Sequence, residues 1–380
     1  MQSFDPSGRY GAAAVLAALQ GTSGVRRLGF RYELLTGSNG KKADLTGMLS
    51  AAVSYDSSAD VKRTATFTLR DGVDSIDYGY DRIKPWVQLT MPDGGIVEWP
   101  QGVFLLSSPT RTLTTAGVVS RSVEAYDQLI VLSQDTTFDR YSIPAGTLFT
   151  SAITAIINGD VINATITPSN LTLPVTWDYE LGTPKLTILN DLLSAMNYRS
   201  AWFDENGVLI CEPYQLPESR GIGYAYEVGS TSVIVGDIEQ QLDLFNVPNR
   251  WTLVVSDTDQ APLVATVTNV STLSPTSTVN RGRTIAALVD GQSAADQATL
   301  YALAQKRAYE DSQVGEVVPF ATAIMPFHSN AEILGLGIPG LGIASGTKYE
   351  ELSWSFDLKA GSTMSHTGRR SVSVLQGGAA

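Results

Sequence analysis

The sequence predicts a mainly β protein interrupted by a small α+β insert. Three observations carry that reading. Residues 61–69, "VKRTATFTL", alternate strictly: Val61, Arg63, Ala65, Phe67 and Leu69 fall on one face, and Lys62, Thr64, Thr66 and Thr68 on the other. The period then changes to helical spacing in "GTLFTSAITAIING" and again in "TPKLTILNDLLSAMN". Alternation returns in "LSWSFDL", which sets Leu352, Trp354, Phe356 and Leu358 on an inward face and Ser353, Ser355 and Asp357 outward.

Taken in order, residues 1–27 read as an arm carrying a short Ala-rich helix, "YGAAAVLAAL" (Tyr10–Leu19). Asp5 and Arg9 precede it, and no cationic leader with a cleavage site frames it. Residues 28–134 read as a compact antiparallel β domain, a barrel or a sandwich, with turns at short intervals such as "PDGG" (Pro92–Gly95). Residues 135–224 form the α+β insert. Its first helix has Leu148, Ala152 and Ile156 on one stripe and Gly159 to end it; its second opens with Thr183 as cap and Pro184 at the first helical position. Asn206-Gly207 then suggests a type I′ turn between two apolar strands. Residues 225–375 form a second β domain. It holds a hairpin from Asn249–Asp257 and Pro262–Val270, a polar loop "STLSPTSTVNRGR", and a helix with Ser293 as cap, Asp296 three residues on, and Leu300, Leu303, Ala304 and Arg307 on one face.

The chain has 380 residues, more than one ordinary core, and a formal net charge of −12. That balance argues against a surface that grips nucleic acid by phosphate neutralisation, while leaving open a passage whose neutral or acidic walls avoid sticking. No run approaches the roughly 18 apolar residues of a membrane span. The single cysteine, Cys211 in "GVLICEP", suggests a buried thiol, and two histidines give a zinc site of the His/Cys type little to draw on. No metal or cofactor site is expected.

Catalytic patterns are missing as well. There is no Gly-x-Ser-x-Gly elbow, phosphate-binding loop or dinucleotide fingerprint. Asp71, Asp74 and Asp77 lack the spacing of a calcium loop and read as a solvated turn. Glu350 with Glu351, and Asp204 with Glu205, are sequence neighbours; on a strand they face apart, and in a turn they are solvated. His366, in "KAGSTMSHTGRR", reads as a solvent-exposed loop histidine without an orienting acid, and His328 in "MPFHSN" is read the same way. The expectation is therefore no catalytic residue and no enzyme. "GLGIPGLGIASG" (Gly335–Gly346) reads as a flexible rim loop whose Leu336, Ile338, Pro339, Leu341 and Ile343 are candidates for a partner contact. The six tryptophans are scattered through strand-like contexts, which favours core packing over a carbohydrate platform.

In order and phrasing the chain resembles the baseplate hub (tail hub, minor tail) proteins of long-tailed bacteriophages, relatives of the base of the type VI secretion spike. The phrases are "ADLTGMLSAAVSYDSSADVKRTATFTLRD", "GVFLLSSPTRT", "VEAYDQLIVLSQD", "ILNDLLSAMNYRSAWFDENGVLICEPY", "FNVPNRWTLVV" and the closing "YEELSWSFDLKAGSTMSHTGRR". They cover most of residues 28–372. The resemblance implies two tube-type antiparallel β-barrel domains separated by the insert. It further implies a homotrimer forming a pseudo-sixfold ring at the distal end of the virion tail. Such a ring joins the distal tail protein above to tip or fibre proteins below. Its lumen passes the tape measure protein C-terminus and then DNA without specific binding. Where relatives often carry Gly-Asp, this chain has "LGLG" (Leu334–Gly337). No needle or lysozyme domain follows residue 380, so a spike or cell-wall hydrolase is expected on a separate chain. The alternative is a peripheral receptor- or carbohydrate-binding tail protein.

Overall fold

The computed structural model describes residues 1–373 apart from 114, 116, 243, 256–262 and 291–296. The chain divides into two compact units, Met1–Asp237 with Phe320–Thr367, and Ile238–Pro319 with Gly368–Ala380.

The first unit begins with helix α1 (Ala12–Leu19), followed by β1 (Leu28–Leu35), β2 (Lys41–Asp44), β3 (Met48–Asp56), β4 (Arg63–Arg70), β5 (Arg82–Thr90), β6 (Ile96–Pro100), β7 (Phe104–Leu106), β8 (Thr110–Leu113) and β9 (Val119–Tyr126). These pair antiparallel, with β3–β4–β9 as the central ladder. The alternation expected at residues 63–69 is present: Arg63, Ala65, Phe67 and Leu69 are buried. "PDGG" is the β5–β6 turn, closed by Met91 and Gly95.

The insert contains α2 (Leu129–Gln134), β10 (Tyr141–Ile143), α3 (Phe149–Ile157), β11 (Ala164–Ile166), β12 (Trp177–Tyr179), α4 (Lys185–Ala195), β13 (Trp202–Phe203) and β14 (Leu209–Cys211). Its own core joins Ile153, Ile156, Leu189, Leu193, Leu209 and Cys211. Both expected helices form, but their punctuation differs from expectation. Pro184 is the N-cap of α4, while the Thr183 hydroxyl donates to the Glu180 carbonyl. At the β13–β14 turn only Gly207 takes a positive φ, +80°, so Asn206-Gly207 is not a type I′ pair. Instead the Asp204 carboxylate accepts the Asn206 and Val208 N–H groups.

β15 (Tyr224–Glu227) and β16 (Ile234–Val235) return to the main sheet, joined late in the chain by β22 (Ile333–Ile338) and β23 (Ile343–Asp357). The mainly β fold with an α+β insert is as the sequence predicts.

The second unit holds β17 (Gln241–Leu242), β18 (Arg250–Val255), β19 (Leu263–Thr268), helix α5 (Thr278–Arg281), β20 (Ala286–Val289) and helix α6 (Gln297–Asp311). β18 and β19 form the expected hairpin, Arg250 opposite Thr268. Leu300, Ala304 and Ala308 of α6 pack on Trp251 and Leu253 of β18. The expected caps Ser293 and Asp296 lie outside the described residues. The polar stretch 271–283 is ordered by Ser277, which caps α5 through the Asn280 N–H, and by Asn269 and Asn249, whose amides donate to Ser274 and to the Thr276 carbonyl. Strands β21 (Gln313–Ala323) and β24 (Thr363–Ser373) divide their residues between the units. The main sheet runs β16–β21–β24–β23–β3–β4–β9–β7–β5–β1–β2.

Candidate functional site: a hydroxyl face above a buried histidine–carboxylate cluster

The chain's two histidines are buried, and they share one carboxylate. This overturns the expectation of exposed loop histidines without an acid. Glu351, on β23, is fully buried. Its Oε2 lies 2.7 Å from Nδ1 of His328 and its Oε1 2.7 Å from Nδ1 of His366. Each imidazole is held at its other end too. His328 Nε2 meets the Tyr226 hydroxyl at 2.6 Å, and His366 Nε2 meets Thr322 Oγ1 at 2.9 Å. His366 stacks on Phe320, ring centroids 4.9 Å apart.

The electrostatics follow from burial. Loss of water pushes the Glu351 carboxyl up, but the two histidines outweigh that and hold it at about 2. Burial drives His366 below its ordinary value, opposed by Glu351. Burial and the Glu351 charge raise Tyr226. Two imidazoles and a carboxylate with ligand atoms within 4.8 Å of one another are a donor set a metal could use. Here, however, both Nδ1 atoms already point at the carboxylate, and an ion would have to displace both hydrogen bonds. The cluster is closed to substrate, since every member is at most 2% exposed.

A second buried pair lies below the same strands. Arg63 donates to Glu205 at 2.5 Å and its guanidinium lies 5.7 Å from the Trp354 ring. Glu205 was expected to be solvated; it is buried, and although burial raises its carboxyl, Arg63 brings it below its ordinary value. The Asp71–Asp77 turn is likewise structural. Asp71 binds Arg111 and Arg121, and Asp74 accepts the Gly47 N–H. Cys211 is buried as expected, and burial pushes its thiol up to about 12.

In the closing strand, Trp354, Phe356 and Leu358 are buried, while Leu352 is only half-buried. The inward phase changes between Glu351 and Trp354 because β23 changes partner there. Glu350 pairs with Ile333 of β22, and Ser353 with Asp56 of β3. The glycine-rich segment is not a flexible rim. Leu336, Ile338 and Ile343 are buried, Leu341 is half-buried, and Pro339 is exposed in a tight connection. β22 lies between β15 and β23, and its glycines admit the neighbours: a Cβ on Gly335 would sit 3.1 Å from Ile222 Cγ2, and one on Gly337 3.0 Å from Glu227 Cγ.

The outward face of these strands is dominated by hydroxyls. Ser54 of β3 stands between Thr64 of β4 and Ser355 of β23, and the Ser54 and Thr64 hydroxyls are 2.7 Å apart. One step along, Ala52 lies between Thr66 and Asp357; beyond, Ser50 pairs with Thr68. β9 continues the face with Ser122 and Glu124 opposite Thr68 and Thr66, and β8 adds Thr110 and Thr112. Thr363, Ser365 and Thr367 of β24 extend it on the other side, alternating with buried Met364 and His366. Two shallow grooves of about 320 and 380 Å³ lie along it. Sequence reasoning saw this alternation but assigned the polar side no role.

No protein-family model matches the sequence, and no curated protein matches it. Solved structures do. The tail protein from Neisseria meningitidis MC58 superposes with a TM-score of 0.58 at 12% identity, covering 90% of this chain and 97% of that one. The 43 kDa tail protein of prophage MuSo2 from Shewanella oneidensis gives 0.58 at 12% identity, covering 90% and 98%. A chain of the Francisella PdpA–VgrG complex gives 0.52 at 9% identity, covering 97% of this chain and 62% of that one. The chain has the fold of phage tail proteins. At such identities the likeness is one of fold, and it agrees with the resemblance read from the sequence phrases.

Proposed function

We propose that this chain is a structural virion protein, the hub of a phage tail tip, without enzymatic activity. Three copies form a pseudo-sixfold ring, each supplying two β-barrel domains built around residues 28–134 and 225–375. The ring closes the distal tail tube beneath the distal tail protein, carries tip or fibre proteins below, and gives passage to the tape measure protein C-terminus and then to DNA. The observation that carries this reading is the fold likeness to two phage tail proteins over 90% of the chain. The sealing of both histidines is consistent with it, since the groups best suited to acid–base chemistry near neutral pH meet no solvent.

The test is stoichiometry and position. Light scattering of the purified chain with its distal tail partner is expected to give three copies of the 40.6 kDa chain per ring. Cryo-electron microscopy of the tail is expected to place them on the tail axis. Copies found solely in peripheral fibres would overturn the hub reading and favour a receptor-binding role.

A further inference from the structure

We infer that the hydroxyl face of β24–β23–β3–β4–β9–β8 is the wall of the passage, and that its occupant is DNA in transit. This rests on the hub reading and specifies the surface that serves it.

Among the described residues of the first unit, the stretches 50–56, 64–70, 110–112, 120–126, 353–357 and 363–367 present one cation on this face, Arg70 at the end of β4, against three carboxylates, Asp56, Glu124 and Asp357; Lys62, which lines one groove, is buried with its Nζ on the Ser57 carbonyl, and exposed Arg369 lies further along β24. A wall that neutralises phosphates gains affinity with each Lys or Arg, through counterion release, and so retains the polymer. A wall of short hydroxyls offers few long cationic arms and stays wetted by water. Its sparse carboxylates repel a polyanion at close approach. Bases would need exposed aromatic rings to stack on. The one aromatic on this face, Tyr126, has its hydroxyl bound to Glu124 at 3.0 Å.

The pattern is not the chain's general surface style. The face of β1, β5 and β6 built from Arg31, Glu33, Lys84, Trp86 and Glu98 is the opposite. There Arg31 binds Glu98 through two contacts, 2.7 and 2.9 Å, and lies 4.3 Å from the Trp86 ring centroid. Long charged and aromatic side chains are therefore available to this fold and are sparse on the hydroxyl face. The grooves along that face are shallow and open.

The test is made in assembled phage tails. A triple variant, Ser54→Lys, Thr66→Lys and Ser355→Lys, adds cations to the centre of the face. A control, Ser151→Lys, Ala155→Lys and Ser194→Lys, adds the same charge to exposed positions of α3 and α4. The wall variant is expected to slow DNA ejection in vitro at least tenfold at low salt, with recovery at high salt, and the control to eject normally. Normal, salt-insensitive ejection by the wall variant would overturn the inference. A map of the natural tail tip supplies a second readout that needs no variant. The hydroxyl face turned toward the axis supports the inference, and the same face turned outward in an axial ring overturns it while leaving the hub reading intact. Absence of the chain from the axis overturns the hub reading itself.

Discussion

Replacing Glu351 by Gln removes one charge from the interior and leaves the shape of the side chain. Its carboxylate receives two charge-assisted hydrogen bonds, both 2.7 Å, from rings fixed by Tyr226 and Thr322. A hydrogen bond to a charged group contributes about 1.5–3 kcal/mol and a neutral one about 0.5–1.5, so two such exchanges cost roughly 2 kcal/mol. The Gln amide also places a donor where both neighbours donate, so one imidazole must change tautomer. Glu351→Ala, which leaves both imidazoles facing a cavity, is expected to cost about 3–5 kcal/mol. The assay is urea unfolding, followed by fluorescence of the tryptophans, across pH. Glu351 is depressed from its ordinary 4.5 to about 2, so the unfolded chain binds its proton first. Its contribution is complete above about pH 4.5 and is lost as the pH falls toward 2. His366 is also depressed, so its contribution is complete above its ordinary 6.5 and fades as the pH falls below that value. Both act in the same direction, and stability falls on acidification. In Glu351→Gln the part of the acid limb below pH 4.5 is expected to flatten. A variant within about 0.5 kcal/mol of wild type, a quarter of the expected cost, with an unchanged acid limb would refute the reasoning.

Three further outcomes follow from the same contacts. Glu205→Ala leaves Arg63 buried without its carboxylate and is expected to destabilise the protein by about 3–5 kcal/mol, whereas Glu212→Ala, at a more exposed ion pair, costs about 1 or less, measured by the same unfolding curves. Gly335→Ala forces a Cβ against Ile222 and Ala225 and is expected to cost about 1–3 kcal/mol, read as a fall in melting temperature. Cys211 is expected to resist a thiol reagent in the native protein and to react fully in denaturant; rapid native modification would contradict its burial.

The fold was legible where one rule governs a whole element. Strand β4 alternates without interruption, and α3 and α4 keep helical spacing, because each packs one face against one core. The sequence was misleading where an element changes partner. β23 packs under β22 and then beside β3, so its inward phase shifts and Glu351 and Trp354 both point inward three residues apart. An unbroken alternation read back from Trp354 puts Glu350, not Glu351, inside. His366 left a better signal, since it shares parity with Met364 between Thr363, Ser365 and Thr367. The glycines of β22 were read as freedom of the backbone, but here they serve close approach of β15, a distinction only the neighbouring strand reveals.

The hydroxyl face and the buried cluster are two sides of the same strands, and each explains the other. A sheet face dominated by Ser and Thr gives up most of the cross-strand ion pairs and aromatic cover that fix Arg31, Glu98 and Trp86 on β1, β5 and β6. Hydroxyl pairs such as Ser54–Thr64 supply little in their place. Register in β3, β4, β23 and β24 must then be fixed from below. That is where the chain places its stacked Tyr55, Trp354 and Phe356, the Arg63–Glu205 pair, and the Glu351 carboxylate joined to both histidines. A one-residue slip of β24 would remove His366 from Glu351 and set it among the hydroxyls. The buried cluster thus keeps both imidazoles and the Glu351 carboxylate inside and off the face above, a condition of the non-adhesive wall proposed for it.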